Sequence, residues 1–177
     1  MYLTGTIKID KNLEKNHLQY LYKFISTRRV KRDSSLTKNR SEIFRTNVNL
    51  PIGIDGEFFV NEEGFMGQNK FANDIIEYNK PPNEQPSIWC PWRIGNEEGR
   101  EYKGKEENFK ASNVIWNNDD MPEHNITALD WLNYLIINFF KPWGYTLNGE
   151  IEIFDNINYV EPEIISISCY NNEVHEE

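Results

Sequence analysis

Only two cysteines, Cys90 and Cys169, three histidines and three methionines occur among the 177 residues. Two thiols so far apart supply no disulfide framework, and they are expected to be reduced and partly buried, as in a cytoplasmic protein. No stretch approaches the roughly twenty consecutive apolar residues of a membrane helix, and no charged start leads into a signal-like apolar run. A phosphate-loop glycine pattern, a nucleophile elbow and zinc-ligand spacing are all missing. These absences favour a binding protein over an enzyme, with no cofactor, metal or membrane implied.

What is abundant is aromatic and charged. Aromatic residues make up 14% of the chain and hydrophobic residues 38%, enough for a folded core despite a mean hydropathy of -0.70. The length predicts one domain over residues 1–172, with residues 173–177 as a fraying acidic tail. The net charge is -9, yet the first fifty residues hold eleven Lys and Arg against four Asp and Glu. Arg28, Arg29, Arg32, Arg40 and Arg45 are the guanidinium groups of this basic segment. The acidic remainder argues against stable binding to nucleic acid backbones, while the local patch suits a small anion.

Alternating apolar positions predict a strand from Leu3 to Ile9, and Leu18, Leu21, Tyr22 and Ile25 predict a helix capped by Asn12 and running to Arg29. Residues 31–49 read as a long basic loop or flap. Glu57-Phe58-Phe59-Val60, Ser87 to Trp92 and Asn113 to Trp116 read as short strands, with a charged, solvated loop or hairpin over 95–110. Thr127 to Asp130 resembles a capping box for a second helix, whose stripe is Trp131, Leu132, Leu135, Ile136, Phe139 and Phe140, ended by Pro142. Further strands are expected at Tyr145 to Ile153 and Ile164 to Tyr170.

The first strand and residues 147–153 share the frame Leu-x-Gly-x-Ile-x-Ile, which predicts that they lie side by side, with Lys8 opposite Glu150 or Glu152. The order of elements predicts an α+β fold. Its expected form is a ferredoxin-like plait, an antiparallel sheet with first and last strands adjacent, two helices on one face and long loop insertions.

The segment from Tyr78 to Trp92 is rich in proline and aromatic residues. Trp89 and Trp92 are three apart, so an extended chain sends one ring inward and leaves the other for a ligand. An indole beside arginines can stack on a base while the guanidinium groups hold phosphates. The expected ligand site is therefore Arg28, Arg29, Arg32, Arg40, Arg45, Trp89 and Trp92.

Several runs, Thr27-Arg28-Arg29, Gly56-Glu57-Phe58-Phe59-Val60, Tyr78-Asn79-x-Pro81-Pro82, Gln85-Pro86-x-x-Trp89, Trp131-Leu132-x-Tyr134-Leu135-Ile136 and Gly144-Tyr145-x-Leu147-Asn148-Gly149-Glu150, resemble a family of small uncharacterised proteins of bacteria and their phages. The resemblance implies a one-domain cytoplasmic protein encoded by a mobile element. It implies no activity and no site. Family members continue the last run with an aromatic and an acidic turn, where this chain has Ile153-Phe154-Asp155-Asn156.

Three functional classes follow from these residues. In the first, the chain sequesters a small nucleotide-like anion in a counter-defence role. In the second, its acidic majority inhibits or partners a host macromolecule. In the third, Glu57, Asp120 or His124 performs hydrolysis, with Asp119, Glu123, Glu150 and Glu152 as further carboxylates. Oligomeric state is left open, a homo-oligomer included.

Overall fold

The computed structural model describes residues 2–62, 69–116, 124–155 and 163–177. In chain order its elements are β1 (Tyr2–Ile9), α1 (Lys15–Ser26), β2 (Lys31–Arg32), α2 (Ser34–Thr37), α3 (Glu42–Thr46), β3 (Ile75–Glu77), β4 (Trp92–Gly95), β5 (Asn113–Trp116), α4 (His124–Leu135), β6 (Leu147–Asp155), β7 (Glu163–Tyr170) and β8 (Glu173–Glu176). The chain divides into two compact units, Met1–Leu13 with Pro91–Glu177, and Glu14–Cys90.

The first unit is built on a six-stranded antiparallel sheet in the order β4-β5-β1-β6-β7-β8. Period-two alternation sends Ile7, Ile9, Val114, Leu147, Ile151, Ile153, Ile167 and Cys169 into the core. The repeated frame has a physical meaning. Leu3 pairs with Ile153, Gly5 with Ile151, Ile7 with Gly149 and Ile9 with Leu147, so β1 and β6 are related by a local pseudo-twofold about the Thr6–Glu150 pair. The antiparallel register places Lys8 opposite Asn148, and the expected pairing with Glu150 or Glu152 goes instead to Thr6 and Thr4. Both glycines sit at positive φ, and a Cβ on either would lie 2.0 Å from a carbonyl oxygen of the other strand. They let backbone approach backbone.

α4 lies in this unit and starts three residues before the expected capping box. Its stripe is as the spacing predicts: Trp131, Leu132, Leu135, Ile136, Phe139 and Phe140 are all buried. From Ile136 to Phe140 the helix widens, with Lys141 N bonded to Ile136 O at 2.9 Å, and it ends in the turn containing Pro142. This extra residue per turn keeps Ile136, Phe139 and Phe140 facing inward while Ile137 faces water.

The α+β class is therefore correct. The expected adjacency of first and last strands is not seen, because β1 is flanked by β5 and β6 while β8 closes the sheet at an edge. Residues 173–176, expected to fray, form that edge strand. Asn171 and Asn172, at φ 50° and 69°, make the two-residue turn whose twist matches a hairpin.

In the second unit α1 ends at Ser26, and its N-cap position is Glu14 rather than Asn12, with no side-chain capping bond. Segment 31–49 is not a flap. It holds β2, paired with β3, and the short helices α2 and α3, and Asp33 caps α2 by accepting from Ser35 N. Phe58, Phe59 and Val60 are buried but form no strand. The carbonyls of Phe58 and Phe59 are taken by side chains, Tyr20 Oη bonding Phe58 O at 2.9 Å and Arg29 Nη1 bonding Phe59 O at 2.8 Å. Strand β4 likewise begins only at Trp92, so residues 87–91 are irregular.

Candidate functional site

The Thr27-Arg28-Arg29 run lies just past α1, and each side chain is committed inside the second unit. Thr27 Oγ1 donates to Lys23 O at 2.6 Å and accepts from Asn61 N at 2.9 Å. Arg29 is 2% exposed and lies over the Phe24 ring at 4.1 Å. It donates to Gln85 Oε1 at 3.0 Å, Phe59 O at 2.8 Å and Glu57 O at 2.6 Å. A long cationic side chain has thus become the polar centre of a core, tying a loop with no strand partner to the proline-rich segment.

A second centre forms around Asp74. Its Oδ2 accepts from Arg32 Nη1 at 2.9 Å, Arg40 Nη1 at 2.5 Å and Thr37 Oγ1 at 3.0 Å. Arg32 is buried and stacks on Phe59, whereas the Arg40 side chain is 49% exposed. Burial alone would raise the Asp74 carboxyl, but the Arg32 charge and hydrogen bond, then Arg40 and Thr37, hold it below the ordinary carboxylate value. Burial depresses the Arg32 guanidinium, with Asp74 opposing. Arg45 is buried too, donates to Lys38 O, and is also lowered by burial.

The expected ligand site is therefore mostly closed. Arg29, Arg32 and Arg45 are buried among internal acceptors, and Trp92 is fully buried in the sheet unit with its Nε1 bonded to Ala128 O at 2.8 Å and its ring edge-on to Trp116. Arg40 and Arg28 keep exposed surface. Arg28 donates to Tyr78 O at 3.1 Å and Asn79 Oδ1 at 3.0 Å, with its guanidinium 4.0 Å from the Tyr78 ring centre and 5.9 Å from that of the half-buried Trp89. Sequence reasoning missed Asp74, Thr37 and Gln85. The only signal was a lone acid in the otherwise uncharged run Phe71 to Ile76.

The acidic side chains fall differently. Eight Lys and Arg stand against eighteen Asp and Glu in the sheet unit, a formal charge of -10, while eleven stand against ten, a charge of +1, in the other. On the sheet, Thr6, Glu150, Ser168 and His175 are aligned across four strands, with Thr4, Glu152 and Ser166 forming the next row. Glu150, Glu152, Glu173, Glu176 and Glu177 are exposed, and none forms an ion pair among the described residues.

Of the hydrolytic candidates, Glu57 is buried, with Oε1 accepting from Ile54 N and Oε2 from Asn83 Nδ2, so it serves as a loop brace. Asp119, Asp120, Met121, Pro122, Glu123 and the side chain of His124 lie outside the described residues, as do Gly64, Gly67 and Asn156. Among the described residues no three His, Cys, Asp or Glu side chains are grouped to hold a metal ion, and no helix is long and apolar enough to cross a membrane. A polar cleft of about 740 Å³ on the sheet unit is lined by Lys8, Lys11 and Lys110 together with Asp10, Glu97 and Glu98, a balance that favours neither sign of ligand.

Both cysteines are free and buried. Burial pushes the Cys169 thiol, which donates to Leu147 O at 3.4 Å, up to about 11. Native protein at about pH 8 is expected to react with a thiol reagent only as fast as it unfolds. Rapid labelling of Cys169 in folded protein would contradict the packing described.

Comparison of the chain with protein-family models, curated proteins and solved structures yields no match.

Proposed function

We propose that the protein is a non-catalytic binder that presents the carboxylates of its sheet unit to a cationic, nucleic-acid-binding surface of another macromolecule. The observation that carries this reading is the -10 charge of that unit together with its exposed Glu150, Glu152 and Glu173, which form no ion pair among the described residues. Strands hold these groups at fixed spacings, so they meet a partner without the ordering cost of a loose tail. On this reading the partner is a host protein in a bacterial cytoplasm and the role one of counter-defence, as the resemblance to phage proteins implies.

The test is capture of purified nucleic-acid-binding proteins on the immobilised chain. Wild type is expected to retain proteins that duplex DNA competes off, and Arg28→Ala is expected to behave identically. A variant carrying Glu150→Lys, Glu152→Lys and Glu173→Lys is expected to retain none, because like charges meeting across an interface cost several kcal/mol. Equal capture by the reversed variant removes the proposal.

A second reading, sequestration of a nucleotide-like anion, is favoured by one feature: the Arg28 guanidinium lies 4.0 Å from the Tyr78 ring centre and 5.9 Å from that of Trp89 with part of its surface in water. Its ligand contacts would be Arg28, Arg40 and Trp89. Calorimetry with cyclic and linear nucleotides is expected to give heat that Arg28→Ala abolishes if this reading holds. Absent heat from folded protein eliminates it.

A further inference from the structure

Strand β8 ends the strand order of the six-stranded sheet, with α4 close by, and among the described residues no strand pairs with its outer edge. In an antiparallel ladder, residues alternate between those bonded to the neighbouring strand and those whose N–H and C=O point away. Glu177 N bonds Ser166 O at 2.9 Å, and the register pairs Ser168 with His175 and Tyr170 with Glu173. Residues 173, 175 and 177 therefore face β7, and the N–H and C=O groups of Val174 and Glu176 point outward. Among the described residues these outward groups accept and donate no hydrogen bond.

A row of unpaired main-chain groups is a template for one more strand, and proteins restrict it with charge. Here the charge is of one sign. Glu173 and Glu176 are three residues apart and so project from opposite faces of the strand. A second copy pairing edge to edge would bring carboxylates against carboxylates, which disfavours self-association. An extended segment with Lys or Arg three apart would instead place a cation beside each acid, forming favourable cross-strand pairs on both faces while its backbone closes the ladder.

We infer that β8 is a docking edge for an extended basic segment of the partner, added as a seventh strand with Lys or Arg at i and i+3. This rests on the reading that the acidic unit engages a cationic partner, and it specifies the mode. Specificity would then come from spacing as well as charge, since a basic helix could satisfy Glu150 and Glu152 but not the outward amides of Val174 and Glu176.

The test uses the full chain and two peptides of identical sequence and charge, acetyl-Lys-Thr-Val-Lys-Thr-Val-Lys-amide and a twin with alternate backbone amides N-methylated. The unmodified peptide is expected to bind roughly tenfold more tightly than its twin, the effect of two or so main-chain hydrogen bonds, and to slow exchange of the Val174 and Glu176 amides. Val174→Pro removes only an outward donor and is expected to erase the difference between the peptides. Equal binding of the two peptides to wild type, unchanged exchange at Val174 and Glu176, or no binding of either peptide overturns the inference. If the inference fails while capture of nucleic-acid-binding proteins remains sensitive to Glu150→Lys and Glu152→Lys, the carboxylate-presenting function stands without strand addition.

Discussion

Replacing Gly149 or Gly5 by alanine is expected to unfold the sheet unit or bring it close to unfolding. A Cβ at Gly149 would meet Thr6 O at 2.0 Å, and one at Gly5 would meet Glu150 O at the same distance, both backbone atoms that no rotamer change can move. The strands would have to separate at the centre of the longest pairing in the sheet. Both residues also hold φ values, +152° and +99°, that L side chains rarely adopt. Strained backbone costs about 1–3 kcal/mol and overpacking about 1–3 kcal/mol more. Together these take a large share of the roughly 5–15 kcal/mol that holds a typical domain folded. Urea denaturation measures the loss as a lowered midpoint, and an unchanged midpoint for both variants would mean that β1 and β6 do not approach as described. The pseudo-twofold predicts comparable losses at the two sites.

The second large effect is expected at Asp74. Asp74→Asn leaves Arg32, 3% exposed, without its carboxylate, and breaking a buried pair by removing one partner costs about 3–5 kcal/mol. The double variant Arg32→Met with Asp74→Leu is expected to lose less than either single change, because no unpaired charge remains buried. The pH dependence has a definite sign. Asp74 in the folded state lies below the ordinary carboxylate value, so the unfolded chain takes up its proton first as pH falls. The stabilisation is complete above the unfolded value and is lost as pH drops through the folded one. Asp74→Asn should therefore show a flatter decline in stability through that acid range than wild type, and an identical decline would contradict the assigned pairing.

The sheet was legible because its signals are local and periodic. Alternation in Leu3 to Ile9 and in Leu147 to Ile153, with a glycine in each, announces two strands that pair, and the stripe from Trp131 to Phe140 announces a buried helix. The arginine centres were not legible for a physical reason. Charge counting sees Arg29 and Arg32 as cations, but what decides their position is three carbonyl or amide oxygens and one distant carboxylate, which only the fold brings near. The same competition explains Phe58 to Val60. An aromatic run looks like a strand until side-chain donors from Tyr20 and Arg29 take its carbonyls. The edge strand was hidden by its acids, which composition alone assigns to a solvated tail.

The central claim is that Arg29, Arg32 and Arg45 are consumed inside their own unit, while Glu150, Glu152, Glu173 and Glu176 of the sheet unit form no ion pair among the described residues. Residue-specific labelling of native protein, with phenylglyoxal for arginine and a carbodiimide-coupled amine for carboxylates, read by mass spectrometry, tests this most directly. Arg29, Arg32 and Arg45 are expected to stay unlabelled until the protein unfolds, while Glu150, Glu152, Glu173 and Glu176 react at the rate of model carboxylates. Fast modification of the three arginines with protection of those four glutamates would contradict the account and return the working surface to the guanidinium groups.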